Sequence, residues 1–312
     1  MLKKQNGFRV AVSPHDRVLA PKELVKNARG ADALLSLLTD KIDGAAMDGI
    51  GKQLKIIANY AVGFDNIDLK AAKERGIVIT NTPGPEITRA VAEHTVALIM
   101  AVAKRVVEAD KFTRAKKYKG WAPMLFLGTN VYGKILGIIG LGAIGREVAK
   151  MMSAFEMKIL YFDTKRSEDF EKQFGAKFAN MTELLKTADF MTLHVPLTPQ
   201  TRYLINDKEF AMMKKTAFVI NTARGPVIRE KALLKALKAK KIAGAALDVF
   251  ENEPAIDSDL TDKLELRAMD NVVLTPHIAS AAIETRTAMA IAAAKNIIAA
   301  LHGKIPPNVV LG

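Results

Sequence analysis

A glycine fingerprint, Gly140-Leu-Gly-Ala-Ile-Gly145, stands between an apolar run, Ile135–Ile139, and a helical pattern, Arg146–Met152. At such a strand-to-helix turn each glycine has its own duty. Gly140 permits the tight turn, Gly142 lets a pyrophosphate approach the backbone, and Gly145 lets helix pack on strand. Ala143 and Ile144 lie between them, and the N–H groups that open the helix face the phosphates. A bare glycine motif is common in α/β proteins, and the next strand decides its meaning. The run Met157–Phe162 ends in Asp163, whose carboxylate can accept hydrogen bonds from an adenosine ribose and repel the extra phosphate of NADP. The expectation is a dinucleotide site that takes NAD(H) in preference to NADP(H). Lys165 and Arg166 follow at once, either to clasp a 2′-phosphate or to stand as a solvated turn.

Three further residues come in order: Arg224 after the run Ala217–Asn221, then Glu253, then His277 after Val272–Thr275. Singly they could be a surface ion-pair partner, a loop carboxylate and a strand-end cap. Together, behind a dinucleotide fingerprint, they suit hydride transfer coupled to proton transfer. His94, within a helical pattern, and His194, before Pro196, sit in no such setting and suit packing or cofactor-loop duty.

The elements that must position these residues fill 312 residues, more than one domain usually holds. Hydrophobic residues are 49% of the chain and no tract is of low complexity, so all of it should fold. The N-terminus has no apolar signal segment and the longest apolar stretch, 95–103, is far short of a membrane span, which points to a soluble, cytoplasmic protein. With no cysteine, disulfides, thiolate catalysis and cysteine-based metal sites are excluded, and no metal site is expected. The formal net charge of +13 raises nucleic-acid binding, but the cations are dispersed and no nucleic-acid module accompanies them. A solvated basic surface with a general attraction for anionic substrates fits better.

Before the fingerprint, Phe8–Val12, Ala33–Leu38, Leu54–Ala58 and Ile77–Thr80 are short apolar runs separated by helical or turn segments, the mark of a small parallel sheet. From Ile87 to about Ala115 the pattern predicts one long helix, with Ala92, Val96, Ile99, Ala103 and Val106 on one face. After the fingerprint, Phe190–Val195, Ala217–Asn221, Ile242–Leu247 and Val272–Thr275 continue a doubly wound sheet. A last helix, from about Ala281 to Leu301, should pack back on the N-terminal unit. The expected fold is α/β: two Rossmann-like or flavodoxin-like domains with parallel sheets and the active site in the cleft between them. Residues 1–98 with 286–312 would form a discontinuous substrate-binding domain, and 99–285 the NAD-binding Rossmann domain.

Over nearly the whole chain these motifs resemble the D-isomer-specific 2-hydroxyacid dehydrogenases. Asn59–Asp68 is similar to the family's substrate loop, Asn221–Gly225 to its arginine motif, Leu247–Pro254 to its glutamate motif and Thr275–Ala279 to its histidine motif. Among members, glyoxylate and hydroxypyruvate reductases are the most similar. The resemblance implies reduction of small 2-keto acids to D-2-hydroxy acids, with Arg224, Glu253 and His277 catalytic.

Physical chemistry agrees with those roles. Arg224 has a planar fork that can hold a carboxylate while polarising the adjacent keto oxygen. His277 would give that oxygen a proton as hydride arrives and take it back in reverse, and Glu253 should orient the ring and stabilise the imidazolium. Val62 and Gly63 can offer backbone N–H groups to the substrate carboxylate, and the resemblance places them opposite Arg224. It also assigns Asp248 to the nicotinamide amide, Thr222 and Ala223 to the cofactor beside Arg224, Pro196 to the adenosine half and Thr201 to the phosphate side. The segment around Trp121 would help build a homodimer, and Leu125 stands where related reductases often carry a second aromatic. Other readings are 3-phosphoglycerate or D-lactate dehydrogenase, and an NAD(H)-sensing, corepressor-like interaction protein.

Overall fold

The computed structural model describes residues 1–253 and 265–310. They fall into two compact units, one of 1–87 with the C-terminal segment from 281, the other of 88–280, whereas the sequence suggested cuts after 98 and 285.

The first unit is built on three parallel strands in the order β1 (Ala33–Ser36), β2 (Ile56–Asn59) and β3 (Val78–Thr80). Its crossovers carry the short helices α2 (Gly44–Ile50) and α3 (Leu69–Glu74), which follow α1 (Pro21–Ala28). Asp43 and Asp68 start α2 and α3 by accepting the N–H groups of Ala46 and Ala71, each at 2.9 Å. Ile42, Met47, Ile50, Ile57, Ile67 and Ile79 make the core. The closing helix, Ile283–Leu301, packs on the sheet through a buried row that includes Met289, Ala293 and Ile297. Beyond it, Val310 donates its N–H to the Ile79 carbonyl, so the chain's last described residues run antiparallel beside β3.

The run Phe8–Val12, read from sequence as a strand, is not one. Val12 is 75% exposed and the segment pairs with no strand. Apolar alternation makes a strand only where a neighbour takes its hydrogen bonds and a layer covers its face. Here Phe8 instead stacks on His302.

The helix expected over 87–115 is two: α4 (Pro85–Ala103) and α5 (Val106–Arg114). The Ala103 carbonyl, which a continuous helix would offer four residues on, accepts the N–H of Thr129 at 2.9 Å instead. Arg105 turns into the left-handed region at φ 55, and the apolar face ends there, leaving Val106 53% exposed. The division between the two units falls in the first turn of α4.

The second unit holds seven parallel strands: β4 (Ile135–Ile139), β5 (Lys158–Phe162), β6 (Lys177–Phe178), β7 (Phe190–Leu193), β8 (Phe218–Asn221), β9 (Gly244–Leu247) and β10 (Val272–Leu274). Their order is β10-β9-β8-β7-β4-β5-β6, so the winding reverses between β4 and β7, the place where such sheets receive ligands at their carboxyl ends. Successive residues alternate faces. Ile138, Ile220 and Ala246 enter one core with α4 and α6 (Ala143–Ser153), and Ile139, Val219 and Ala245 enter the other with α8 (Met181–Thr187), α9 (Asp207–Met212) and α10 (Glu230–Lys238). The two-residue β6, next to α7 (Glu168–Phe174), has no apolar run that sequence reading could have found. Among the described residues no helix is long and apolar enough to cross a membrane.

The turn from β4 to α6 tolerates no side chain at its third glycine. A Cβ on Gly145 would lie 2.2 Å from the Gly140 carbonyl oxygen, backbone that cannot swing away. Gly145→Ala should therefore destabilise the protein by about 1–3 kcal/mol through overpacking, read as a lowered urea midpoint. An unchanged midpoint would show that the helix slides without cost.

Candidate active site

In the second unit the fingerprint takes the shape its glycines allow. Gly140 adopts φ 95 and sits so close to the next crossover that a Cβ would meet the His194 carbonyl carbon and oxygen at 2.8 Å. A Cβ on Gly142, by contrast, would meet nothing within 4 Å. Gly142 is also the N-cap of α6 and gives it no side-chain acceptor. The first-turn N–H groups of Ala143 and Ile144 thus open on free space, the cradle a pyrophosphate requires. The residues present fit a dinucleotide.

Asp163, at the end of β5, is half-buried. Its Oδ2 accepts the Leu141 N–H at 2.7 Å and its Oδ1 the Thr164 N–H at 2.6 Å. Oδ1 also accepts the Thr164 hydroxyl at 3.1 Å, so the carboxylate ties the glycine turn to β5 and keeps a lone pair on Oδ2 for a ribose hydroxyl. Arg166 is turned away from that role. Its Nε and Nη2 donate to the two carboxylate oxygens of Glu171 at 2.9 and 2.8 Å. Pro196 is exposed, and the Thr201 hydroxyl is spent on holding its loop, donating to the Pro196 carbonyl and accepting from Thr198 N–H. Burial pushes the His194 imidazole down to about 3, so it is neutral.

Arg224, Glu253 and His277 come together at the carboxyl ends of β8, β9 and β10. Asn221 braces the first turn, its side chain accepting from Ala223 N–H and donating to the Arg224 carbonyl, both at 3.0 Å. Gly225 then lies on the next loop so tightly that a Cβ would overlap the Phe250 carbonyl at 1.8 Å. That loop turns back on itself, Glu253 Oε1 accepting the Phe250 N–H at 2.7 Å, while Glu253 Oε2 meets His277 Nδ1 at 2.6 Å. Nε2 is left as the nitrogen able to exchange a proton with a ligand. Pro254, the end of the glutamate motif, lies outside the described residues.

His277 is held at φ 55, uncommon for a residue with a side chain. Its N–H donates to the Asp248 carbonyl at 2.8 Å, and the Asp248 carboxylate accepts from Thr275 Oγ1, Ile278 N–H and Ala279 N–H at 2.6, 2.9 and 2.8 Å. Burial pushes this carboxyl up, but the donors, His94 first among them, outweigh it and hold it below the usual carboxylate range. The resemblance points Asp248 at a nicotinamide amide; here the carboxylate has no exposed surface and serves the loop that carries His277. His94 Nε2 reaches Thr275 Oγ1 at 3.1 Å. Thr222 is buried with its hydroxyl 2.8 Å from that of Thr95. Since Thr95 already donates to the Val91 carbonyl, Thr222 is the donor to it. Ala223 is half-buried beside Arg224, whose Nη1 donates to its carbonyl.

In the first unit, the loop after β2 has three consecutive carbonyls pinned from behind. Thr82 takes that of Ala61 through both N–H and hydroxyl, Asn81 Nδ2 takes that of Val62 at 2.7 Å, and Asn59 Nδ2 takes that of Gly63 at 2.9 Å. A trans peptide is planar, so fixing a carbonyl fixes the N–H on the opposite side. The N–H groups of Val62 and Gly63 are thereby aimed away from these three side chains, and neither has an acceptor among the described residues. Asn81 and Thr82 were missed from sequence. Their signal is only a polar pair closing β3 ahead of Pro83, and their partner carbonyls are distant in the chain.

Residues 96–279 match the family model for the NAD-binding domain of the D-isomer-specific 2-hydroxyacid dehydrogenases. The chain is similar to a glyoxylate reductase of Korarchaeum cryptofilum, 50% identical over 93% of this chain and 85% of the relative, and to one of Thermofilum pendens, 51% identical over 93% and 84%. A crystal structure of D-lactate dehydrogenase from Aquifex aeolicus, complexed with NAD and lactic acid, superposes with a TM-score of 0.84 at 34% identity, covering 94% of this chain and 90% of that one.

The pinned loop makes a prediction of its own. Asn81→Ala frees the Val62 carbonyl, so the Gly63 N–H loses its fixed direction. The half-saturating concentration of a 2-keto acid should rise by roughly 2- to 10-fold, the worth of one hydrogen bond, with NADH affinity unchanged. Equal loss for both ligands would mean that Asn81 only supports the fold.

Proposed function

The chain belongs to the D-isomer-specific 2-hydroxyacid dehydrogenases, and from that premise we propose that it reduces glyoxylate and hydroxypyruvate to their 2-hydroxy acids with NADH, and runs the reverse oxidation. That it is an NAD-dependent oxidoreductase follows from the family; the choice of substrates rests on the likeness to glyoxylate reductases at about half identity. The observation that carries the reading is the 2.6 Å pair between Glu253 and His277 Nδ1, which leaves Nε2 for the substrate.

Bound NADH supplies the hydride. Gly140, Gly142, Ala143, Ile144 and Gly145 would hold its pyrophosphate with Thr201 on the phosphate side, Asp163 its ribose, Pro196 its adenosine side, and Thr222, Ala223 and, through its loop, Asp248 its nicotinamide side. His277 passes a proton from Nε2 to the keto oxygen in reduction and recovers it in oxidation. Glu253 fixes the ring so that Nε2 keeps its direction. The Arg224 fork grips the carboxylate and polarises the keto oxygen where negative charge develops, and the Val62 and Gly63 N–H groups receive carboxylate oxygens. Preference for NADH over NADPH is supported by the Asp163 carboxylate and by the engagement of Arg166 with Glu171.

Steady-state NADH oxidation with glyoxylate, hydroxypyruvate, pyruvate and phosphohydroxypyruvate tests the substrate reading. A kcat/KM led by phosphohydroxypyruvate or pyruvate would refute it. His277→Ala should lower kcat by about 10²–10⁴-fold while NADH still binds, and a near-normal rate in the purified variant would remove His277 from the mechanism.

A homodimer belongs to the same proposal. In the segment after α5, Trp121 is 83% and Met124 74% exposed, with Tyr118 and Leu127 more than half exposed, an apolar group that a second copy would cover. Sedimentation should show a dimer that Trp121→Glu with Met124→Glu converts to monomer; a monomeric parent protein would end this part of the reading.

A further inference from the structure

The loop that follows the ribose carboxylate contains two cations, and they are treated differently. Lys165 is exposed with no partner among the described residues, whereas Arg166 is gripped by Glu171 through both oxygens. This is more than a chance surface ion pair. Glu171 Oε1 also accepts the hydroxyl of Tyr161 at 2.6 Å, and Tyr161 is fully buried in β5. The same hydroxyl accepts the Ser167 N–H at 2.8 Å, so one buried phenol fixes both the carboxylate and the loop backbone beside Arg166. Ser167 Oγ in turn accepts from Arg146 Nη2 at 2.8 Å, and Arg146 Nε donates to the Leu141 carbonyl in the glycine turn. Glu171 is only 14% exposed while Arg166 is 58% exposed. The carboxylate is therefore the fixed member and the guanidinium the one drawn to it. Arg166 and Tyr161 hold the Glu171 carboxyl down to about 2, keeping it ionised throughout the working range.

A guanidinium with two N–H groups in a carboxylate fork cannot offer the same two to a phosphate. Lys165 remains, but an ammonium is a hydrated point charge without a fork. We propose that Glu171 is a cofactor-specificity residue: by sequestering Arg166 it withholds the guanidinium that would otherwise bind the 2′-phosphate of NADPH, adding to the repulsion by Asp163. The inference rests on the NAD(H) reading above and assigns its selectivity to a residue that touches no part of the cofactor.

The test is Glu171→Gln, which keeps the size of the side chain and an acceptor for Tyr161 but removes the charge and the two-oxygen grip. Isothermal titration of the substrate-free enzyme with NADPH and with NADH is read beside kcat/KM for both cofactors with glyoxylate. The variant should bind NADPH about 10-fold more tightly, the gain of one charge-assisted contact by a half-exposed arginine, and the gain should shrink at high salt. NADH affinity should hold. In Glu171→Gln with Arg166→Ala the gain should vanish. Unchanged NADPH affinity in the single variant, a gain that survives in the double variant, or parallel changes for both cofactors would each overturn the proposal. Arg166→Ala alone keeps the question open to test if Glu171→Gln fails to fold: NADPH affinity should stay at the parent value, and a fall would show that Arg166 already serves the phosphate. A parent protein that binds no NADH would remove the NAD(H) reading and this inference with it. Normal NADH binding with any of the other adverse results removes this inference alone.

Discussion

A carboxylate with no exposed surface must find donors for its oxygens or give up its charge, and Asp248 finds them in the loop that carries His277. Thr275, Ile278 and Ala279 donate to its side chain and His277 to its carbonyl, while its own N–H extends β9 pairing to Asn221. One residue thus joins three strand ends. The left-handed backbone at His277 persists because four hydrogen bonds to Asp248 determine that loop. The imidazole can then reach Glu253 at its Nδ1 and keep Nε2 free. The desolvation of Asp248 is offset by this ordering, so the cost of a buried charge and the aim of the His277 imidazole are the same arrangement.

Backbone-to-backbone contact sets the remaining geometry. Gly225 brings the end of the Arg224 turn onto the carbonyl of Phe250, and Gly145 brings α6 onto the carbonyl of Gly140. At both places a methyl group would collide with peptide atoms, which cannot rotate away as a side chain can. Gly142 differs in kind, since the space beyond its missing Cβ is open. The first two glycines are needed by the protein's own backbone packing; no contact of the protein itself requires the third.

The fingerprint, the second unit's strands other than β6 and the order of Arg224, Glu253 and His277 were legible in the sequence because each is carried by contiguous residues with a characteristic period or spacing. What could not be read depended on partners remote in the chain. The break between α4 and α5 has no proline or glycine at 104–105; it exists because Thr129 captures the Ala103 carbonyl. Phe8–Val12 alternates as a strand should, yet nothing covers Val12. The aim of the Val62 and Gly63 N–H groups is set by Thr82 and Asn81 acting on the Ala61 and Val62 carbonyls behind them, and no local pattern records a hydrogen bond to a carbonyl some twenty residues away.

Charge shows most plainly the difference between composition and placement. A formal net charge of +13 attracts every anion, NADPH more than NADH, and so by itself gives no preference for NADH. At physiological ionic strength that attraction fades over about 8 Å, and selectivity falls to the groups within reach of the ribose. There the signs are reversed. Asp163 closes β5, and Glu168, Asp169 and Glu171 fill the first turn of α7 directly after the two cations of the loop. Repulsion from Asp163 alone would compete with any free guanidinium beside it. With Arg166 bound into the Glu171 fork, the local charge balance beside Asp163 turns acidic on a basic protein, and that balance is a property of one loop and its buried tyrosine anchor.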